Sequence, residues 1–232
     1  MQCEEVLLVE RHLYIMLSRS PSCMGRFIRF FTPGDYNHVS LSVDDTLTEF
    51  VSFARYVQDV PLAGGYIREP AERLLAACKP LPVRIFRLPI TQKDAQALEQ
   101  LFGLAGNASA GLIYNSAGAL LSALHIPCPI PGAYTCLDFA KLLLGVSCSN
   151  IRALEAILSP WEFFCGDYRE LVMPVHCSGP FFARRGFLCG CSDTLSHFGR
   201  LLLRILRLQR IRDPLPEYRL NLLEKCKCAV SE

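Results

Sequence analysis

No apolar run in this chain reaches the roughly 18 residues that a membrane-spanning helix requires. The first residues, Met1-Gln-Cys-Glu-Glu, lack a basic n-region, and the Val-Leu-Leu-Val that follows at 6–9 is too short for a secretory h-region. An export signal is therefore not expected. Charge of one sign is missing too: 24 Lys and Arg against 22 Asp and Glu leave a net charge of +2, which gives no general affinity for nucleic acid. Internal repeats, low-complexity tracts, a Walker A loop, a dinucleotide fingerprint, H-E-x-x-H and G-x-S-x-G are all absent. Lysine is scarce, with 5 against 19 arginines, a bias that carries no functional weight by itself.

What is present is apolar. At 51% hydrophobic and 20% charged residues the chain has the makings of a packed core, and its 232 residues fit one domain or one domain with an appendage. Its 12 cysteines are scattered among apolar neighbours, as at Cys78 after Leu-Leu-Ala-Ala and Cys165 after Phe-Phe, where Cys acts as a small hydrophobe. Together with the missing export signal, this points to a reduced, cytoplasmic setting.

Periodicity and turn chemistry divide the chain. Residues 13–17 form an apolar run, and 25–31 read as a short helix with Arg26 and Arg29 on one side. Thr-Pro-Gly-Asp at 32–35 is a turn. Val39, Leu41 and Val43 alternate with His38, Ser40 and Ser42, which predicts a half-buried strand, with Asp44-Asp45 starting a turn and 47–54 returning as its partner. Residues 61–65 read as a loop, and 83–88, fenced by prolines, as a strand. Thr91 caps a helix to Phe102 with Asp94 at N3, a second helix is expected over 113–124, and a third over 135–144 closed by Gly145. Ser159-Pro160 opens a short turn, and 171–175 are expected to return to the sheet. Beyond His176 the chain changes character: 177–193 are loosened by Gly, Cys and Ser, and 199–212 predict a helix with Arg200, Arg204 and Arg207 along one stripe.

Two segments carry chemistry. Tyr-Asn-His-Val-Ser-Leu-Ser at 36–42 places His38 at the start of a strand, and Tyr-Thr-Cys-Leu-Asp-Phe-Ala at 134–140 places Cys136 in the first turn of a helix. Thr135 is a good N-cap and Asp138 can return its hydrogen bond, which puts Cys136 among unpaired backbone N–H groups at the positive end of the helix dipole. A thiol so placed has a depressed pKa, and the same N–H groups can hold an oxyanion. A His within reach completes a nucleophile and its general base.

Around these segments lie Leu-Tyr-Ile-Met-Leu-Ser at 13–18, Phe-Ile-Arg-Phe-Phe-Thr at 27–32, Val-Ser-Phe-Ala-Arg at 51–55, Gly-Gly-Tyr-Ile-Arg-Glu at 64–69, Ile-Tyr-Asn-Ser-Ala-Gly at 113–118 and Leu-Ser-Pro-Trp-Glu-Phe at 158–163. This ordered set, over residues 5–175, resembles the circularly permuted papain-like proteins of the NlpC superfamily, in particular the YiiX-like branch and its uncharacterised bacterial members. The resemblance implies an α+β fold: a permuted papain-like core whose small, mainly antiparallel sheet packs against the helix carrying the Cys, followed by a helical C-terminal tail. It implies a cysteine hydrolase or acyltransferase, a thiol protease, amidase or acyl-lipid enzyme, that cleaves an amide or ester bond through a thioacyl intermediate. Cys136 would be its nucleophile and His38 its base, with no cofactor. In relatives a third residue on the next strand orients the His. In this chain Ser52 would lie across from His38 after a three-residue turn, whereas a two-residue turn would put Glu49 beside Ser40. Tyr36 and Tyr134 are candidate substrate contacts. The chain departs from its relatives just after the Cys, where Leu137-Asp138 replace small or amide residues.

The expected organisation is a catalytic domain over 1–175 and a Cys- and Arg-rich, partly helical, loosely ordered extension over 176–232. Peptides, small amides or acyl lipids are the expected substrates. The extension offers two further signals. Its Cys-x-Cys pairs, Cys189/Cys191 and Cys226/Cys228, lack the usual zinc-knuckle spacing, so no metal site is expected. The Arg- and Leu-rich 199–212 stretch fits either contact with an anionic membrane surface, making the protein peripheral, or a helix packed on the body with its arginines outward. The alternative function is a catalytically silent binding module of the same fold.

Overall fold

A computed structural model describes residues 11–19, 34–57, 60, 62–75, 79–105, 111–122, 126–172, 187–207, 213 and 215–230. Its centre is an eight-stranded curled sheet in the order β7-β6-β4-β3-β2-β1-β5-β8. The strands are β1 (Arg11–Ser18), β2 (His38–Ser42), β3 (Glu49–Arg55), β4 (Gly64–Pro70), β5 (Pro82–Ile90), β6 (Ile113–Tyr114), β7 (Ala133–Tyr134) and β8 (Glu162–Asp167). Adjacent strands are antiparallel except β6 and β7, which run parallel. The α-helices are α1 (Ala71–Leu74), α2 (Gln92–Ala105), α3 (Ser116–Ser122), α4 (Cys136–Leu144), α5 (Ile151–Leu158), α6 (Phe187–Ile205) and α7 (Leu222–Val230). The molecule is thus α+β, with a larger sheet than the small one expected.

Both faces of the central strands are covered, which is why β1 reads as a continuous apolar run. Leu13, Ile15 and Leu17 join Val39, Leu41, Val51 and Phe53 in the main core, against Leu98 and Leu101 of α2 and Phe139 and Leu143 of α4. The alternate residues Tyr14 and Met16 pack with Phe50, Val83 and Ile85 on the other face. Burial on both faces makes apolar transfer the main term holding the sheet together.

Turn and cap chemistry behaves as expected where the signals are local. The Asp44 carboxylate accepts from the Thr46 N–H (2.9 Å), the Thr46 hydroxyl (2.5 Å) and the Thr48 hydroxyl (3.1 Å), fixing the turn after β2. That turn is wider than either alternative considered, because β2 and β3 pair through Leu41 and Val51. By that register Ser52 lies beside Ser40, two residues from the strand position of His38. Thr91 caps α2, its hydroxyl donating to Asp94 and accepting from the Asp94 N–H.

Several expectations fail for physical reasons. The Gly-Gly-Tyr-Ile-Arg-Glu-Pro segment is a full strand, β4, although 61–65 read as a loop. Close backbone approach demands the first glycine: a Cβ on Gly64 would fall 2.3 Å from the Ala54 carbonyl oxygen. The 113–124 segment begins as strand β6, between β7 and β4, since Asn115 accepts from the Gly118 N–H (2.7 Å) and starts α3 only at Ser116. Helix α5, capped by Asn150, and edge strand β8 were not foreseen. Leu171 and Val172 follow a helical turn instead of rejoining the sheet, whose edge is already formed by β8. The apolar run at 6–9, the expected helix at 25–31 and residues 173–186 lie outside the described residues.

The C-terminal segment is not a loose appendage. Leu222, Leu223 and Cys226 of α7 are buried in the main core, and Leu201 of α6 packs on Ile113, Ile130 and Ala133. Of the arginine stripe considered as outward-facing, Arg204 turns inward while Arg207 is exposed. Arg204 is buried and donates to the Gly132 carbonyl (2.5 Å) and the Gly111 carbonyl.

Candidate active site

Helix α4 starts where its sequence dictates. The Thr135 hydroxyl accepts from the Asp138 N–H (3.1 Å) while the Asp138 carboxylate accepts from the Thr135 N–H (3.3 Å) and hydroxyl (2.8 Å), a full capping box. Gly145 closes the helix in the left-handed conformation, at φ 72°. Cys136 is its first residue and half-buried. Strand β7, immediately before the cap, fixes the approach of the chain: Tyr134 pairs with Tyr114 in β6 and packs on Phe53 with ring centroids 5.4 Å apart.

His38 opens β2 with its side chain largely buried, at 14% exposure. Its Nε2 lies 2.9 Å from Oε2 of Glu69 on β4, and its ring also makes a side-chain hydrogen bond with Cys136. With Nε2 engaged by the carboxylate, Nδ1 is the ring nitrogen left for the thiol. Sequence separated Cys136 and His38 by about a hundred residues; the fold brings them into contact.

The third member is Glu69, which sequence reasoning missed. It is buried at 5% exposure, and the same Oε2 that meets His38 accepts a hydrogen bond from the Ser52 hydroxyl (2.8 Å). Ser52 therefore belongs to the site, but it holds the carboxylate and not the imidazole. One strand, β3, lies between Glu69 and β2, and the register Ser52↔Ile67, Phe50↔Glu69 sets it diagonally across from Ser52. The available signal was a lone carboxylate between Arg68 and Pro70; Pro holds its predecessor extended, which favours a strand.

Electrostatics follow from this packing. Burial pulls the His38 pKa down, but the Glu69 charge, hydrogen bonds to Cys136 and Glu69, and the Cys136 charge outweigh it, leaving the imidazole pushed up to about 10. For Glu69, burial raises the pKa, yet the charge and hydrogen bond of His38, the charge of Arg73 and the Ser52 hydroxyl leave it below the usual carboxylate range. Arg73 also donates to the Arg55 carbonyl (2.6 Å) and the Tyr56 carbonyl (3.2 Å), tying the end of β3 to the site.

The remaining candidates sit elsewhere. Glu49 accepts from Arg68 (2.8 Å) at an exposed position, so it is a surface ion-pair residue and not the partner of His38. The Tyr36 hydroxyl lies 3.9 Å from Cys165 Sγ on β8, toward the opposite edge of the sheet from Cys136. Tyr134 lies two residues before Cys136 in sequence, but its hydroxyl donates to Asp213 (2.5 Å). Of the Cys-x-Cys residues, Cys189 and Cys191 are exposed, whereas Cys226 is buried with its Sγ 3.0 Å from the Pro89 carbonyl oxygen. Among the described residues no three His, Cys, Asp or Glu side chains form a metal-binding group.

No protein-family model, curated protein or solved structure matches the chain.

Proposed function

We propose that the protein is a cysteine hydrolase or acyltransferase that cleaves an amide or ester bond through a thioacyl intermediate, on a permuted papain-like core. The observation that carries this reading is the single chain of contacts from Cys136 through His38 to Glu69, at the N-terminus of a capped helix. A nucleophile, a proton carrier and a buried carboxylate that orients it are the parts that acyl transfer needs.

In the resting site His38, with its raised pKa, holds the proton as imidazolium at neutral pH, opposite the Cys136 sulphur. The sulphur attacks the carbonyl carbon, and its lone pair forms the C–S bond as the C=O π pair moves onto oxygen. The backbone N–H groups of Cys136 and Leu137, in the first turn where no intrahelical acceptor exists, are placed to receive that oxyanion. Collapse of the intermediate breaks the C–N or C–O bond, and His38 protonates the departing amine or alcohol. The now neutral imidazole next takes a proton from water, or from an acceptor alcohol or amine. Its attack on the thioester releases the acyl product, and the proton returns to the dyad. Glu69 keeps the ring oriented and offsets its charge throughout, and the Ser52 hydroxyl fixes Glu69.

Site-resolved alkylation with iodoacetamide tests the first requirement. Cys136 is expected to react near pH 6 far faster than exposed Cys165, Cys189 and Cys191, and to lose that advantage in His38→Ala. A Cys136 no more reactive than those three would leave the catalytically silent binding module as the better reading. Incubation with p-nitrophenyl acyl esters is then expected to add one acyl mass to Cys136.

A further inference from the structure

Helix α6 turns a polar stripe toward the body of the protein. His197, Arg200, Leu201 and Arg204 recur at helical spacing on one side of it. Leu201 packs on Ile113, Ile130 and Ala133, and His197 Nε2 donates to the Tyr114 carbonyl oxygen at 3.0 Å, so this side faces β6 and β7. Arg204 reaches the Gly132 and Gly111 carbonyls through its two terminal nitrogens. The described residues hold four buried side-chain atoms without a hydrogen-bond partner, and three of them lie on this stripe: Nδ1 of His197, Nε of Arg200 and Nε of Arg204. Each such atom costs free energy, so three on one stripe mark a place where something polar belongs.

Their chemistry identifies the occupant. The two Nε–H groups are donors. Burial and the charges of Arg200 and Arg204 hold the His197 pKa below the ordinary imidazole value, against the opposing pull of the Tyr114 carbonyl, so the ring is neutral near pH 7. With Nε2 donating, Nδ1 is then an acceptor. The occupant must accept twice and donate once. Water meets this count, but it carries no charge. Burial together with the Arg200 charge pushes the Arg204 pKa down to about 10, which leaves two like charges near each other at neutral pH. Asp213 offsets part of this, yet its carboxylate is also engaged by the Tyr134 hydroxyl (2.5 Å). A buried surplus of positive charge is costly. Hydrogen phosphate meets every demand: negative oxygens for the guanidinium groups and a P–OH for the imidazole. His197 and Arg204, at 0% and 2% exposure, limit the site to a small ion, and half-buried Arg200, near exposed Tyr56, leaves it a way in.

We propose that the polar stripe of α6 is a hydrogen-phosphate site, in which Nε of Arg200 and of Arg204 donate to the ion and Nδ1 of His197 accepts from its P–OH. The site stands independently of catalysis at Cys136. Titration calorimetry of the full chain with inorganic phosphate tests it, at neutral pH and constant ionic strength, with sulfate, which has no proton to donate there, as the comparison. Saturable phosphate binding with Kd below about 1 mM is expected, and sulfate is expected to bind about fivefold or more weakly. Phosphate at about 10 mM is expected to raise the melting temperature by about 3 °C or more. Arg200→Met removes one of two like charges, so it is expected to melt no lower than wild type without phosphate and to lose about tenfold or more in phosphate affinity. An absence of saturable phosphate binding would overturn the proposal and leave water as the occupant. Equal stabilisation by phosphate and sulfate would overturn it too, as the signature of salt excluded from the surface. So would undiminished binding to Arg200→Met, or an Arg200→Met less stable than wild type without phosphate. Tighter binding of glycerol 3-phosphate than of inorganic phosphate would overturn the assignment to the free ion.

Discussion

The buried contact between His38 and Glu69 makes the candidate site sensitive to a single atom exchange. Glu69→Gln keeps the shape but removes the charge that raises the imidazole pKa, leaves His38 without its counter-ion and disturbs the acceptor for Ser52. Turnover of an acyl substrate is expected to fall on the order of a hundredfold or more, as when an orienting carboxylate is neutralised in other nucleophile–His sites. Chemical denaturation is expected to show a loss of about 3 kcal/mol, because one member of a buried pair is removed. The pH dependence has a defined sign. A raised His38 pKa stabilises the fold fully below the ordinary imidazole value, and that contribution fades as pH rises towards about 10. The lowered Glu69 pKa stabilises above the ordinary carboxylate value, and that contribution is lost as pH falls. The stability gap between wild type and Glu69→Gln is therefore expected to be widest between about pH 4.5 and 6.5 and to close towards pH 10. A gap that widens with alkaline pH would contradict the pairing.

At the scale of elements, Cys136 is placed by two signals of different kinds. The capping box of α4 lies within four residues and was legible in the sequence. Thr135→Ala is expected to cost about 1 kcal/mol in thermal denaturation and to slow alkylation of Cys136. The brace on β6 and β7 was not legible, because it comes from an arginine far along the chain. Arg204 looked like one of a solvent-facing stripe; only folding shows that the Gly132 and Gly111 carbonyls need it. Arg204→Leu keeps the helix and its bulk but removes a buried charged donor from the Gly111 carbonyl and from the Gly132 carbonyl, which still accepts from the Ile113 N–H (3.1 Å). Denaturation is expected to show a loss of roughly 3 kcal/mol. Similar logic explains the site residues. Cys136 and His38 announce themselves through a helix start and a strand start, each a local pattern. Glu69 escaped because β4 was hidden by two glycines and a proline, and because its partner Ser52 is set by a register that a wider turn displaced.

At the scale of the molecule, the division at residue 175 does not describe the packing. The apolar side of α7 completes the main core, Lys225 pairs with the buried carboxylate of Asp94 (2.7 Å), and α6 covers the edge that leads to Cys136. A chain ending at residue 175 is expected to lose its cooperative thermal transition and to bind a hydrophobic dye, which a calorimetric scan and a fluorescence titration will show. Retention of a sharp transition would mean that residues 1–175 form a self-sufficient unit. The larger outline, α+β with an antiparallel hairpin at its centre, followed from periodicity; the integration of the C-terminal helices did not, since Gly, Cys and Ser around 177–193 carry the composition of a linker.

The parallel pairing of β6 with β7, in a sheet otherwise antiparallel, has a consequence for the newly made protein. His38, Ser52, Glu69 and Cys136 all leave the ribosome before the helix whose Arg204 and His197 fasten those two strands. Until that helix follows, the strand pair that aims the sulphur has no clasp. Synthesis thus orders events in time: Cys136 is made early, and the strand pair that positions it is fastened only when the last helices have left the ribosome.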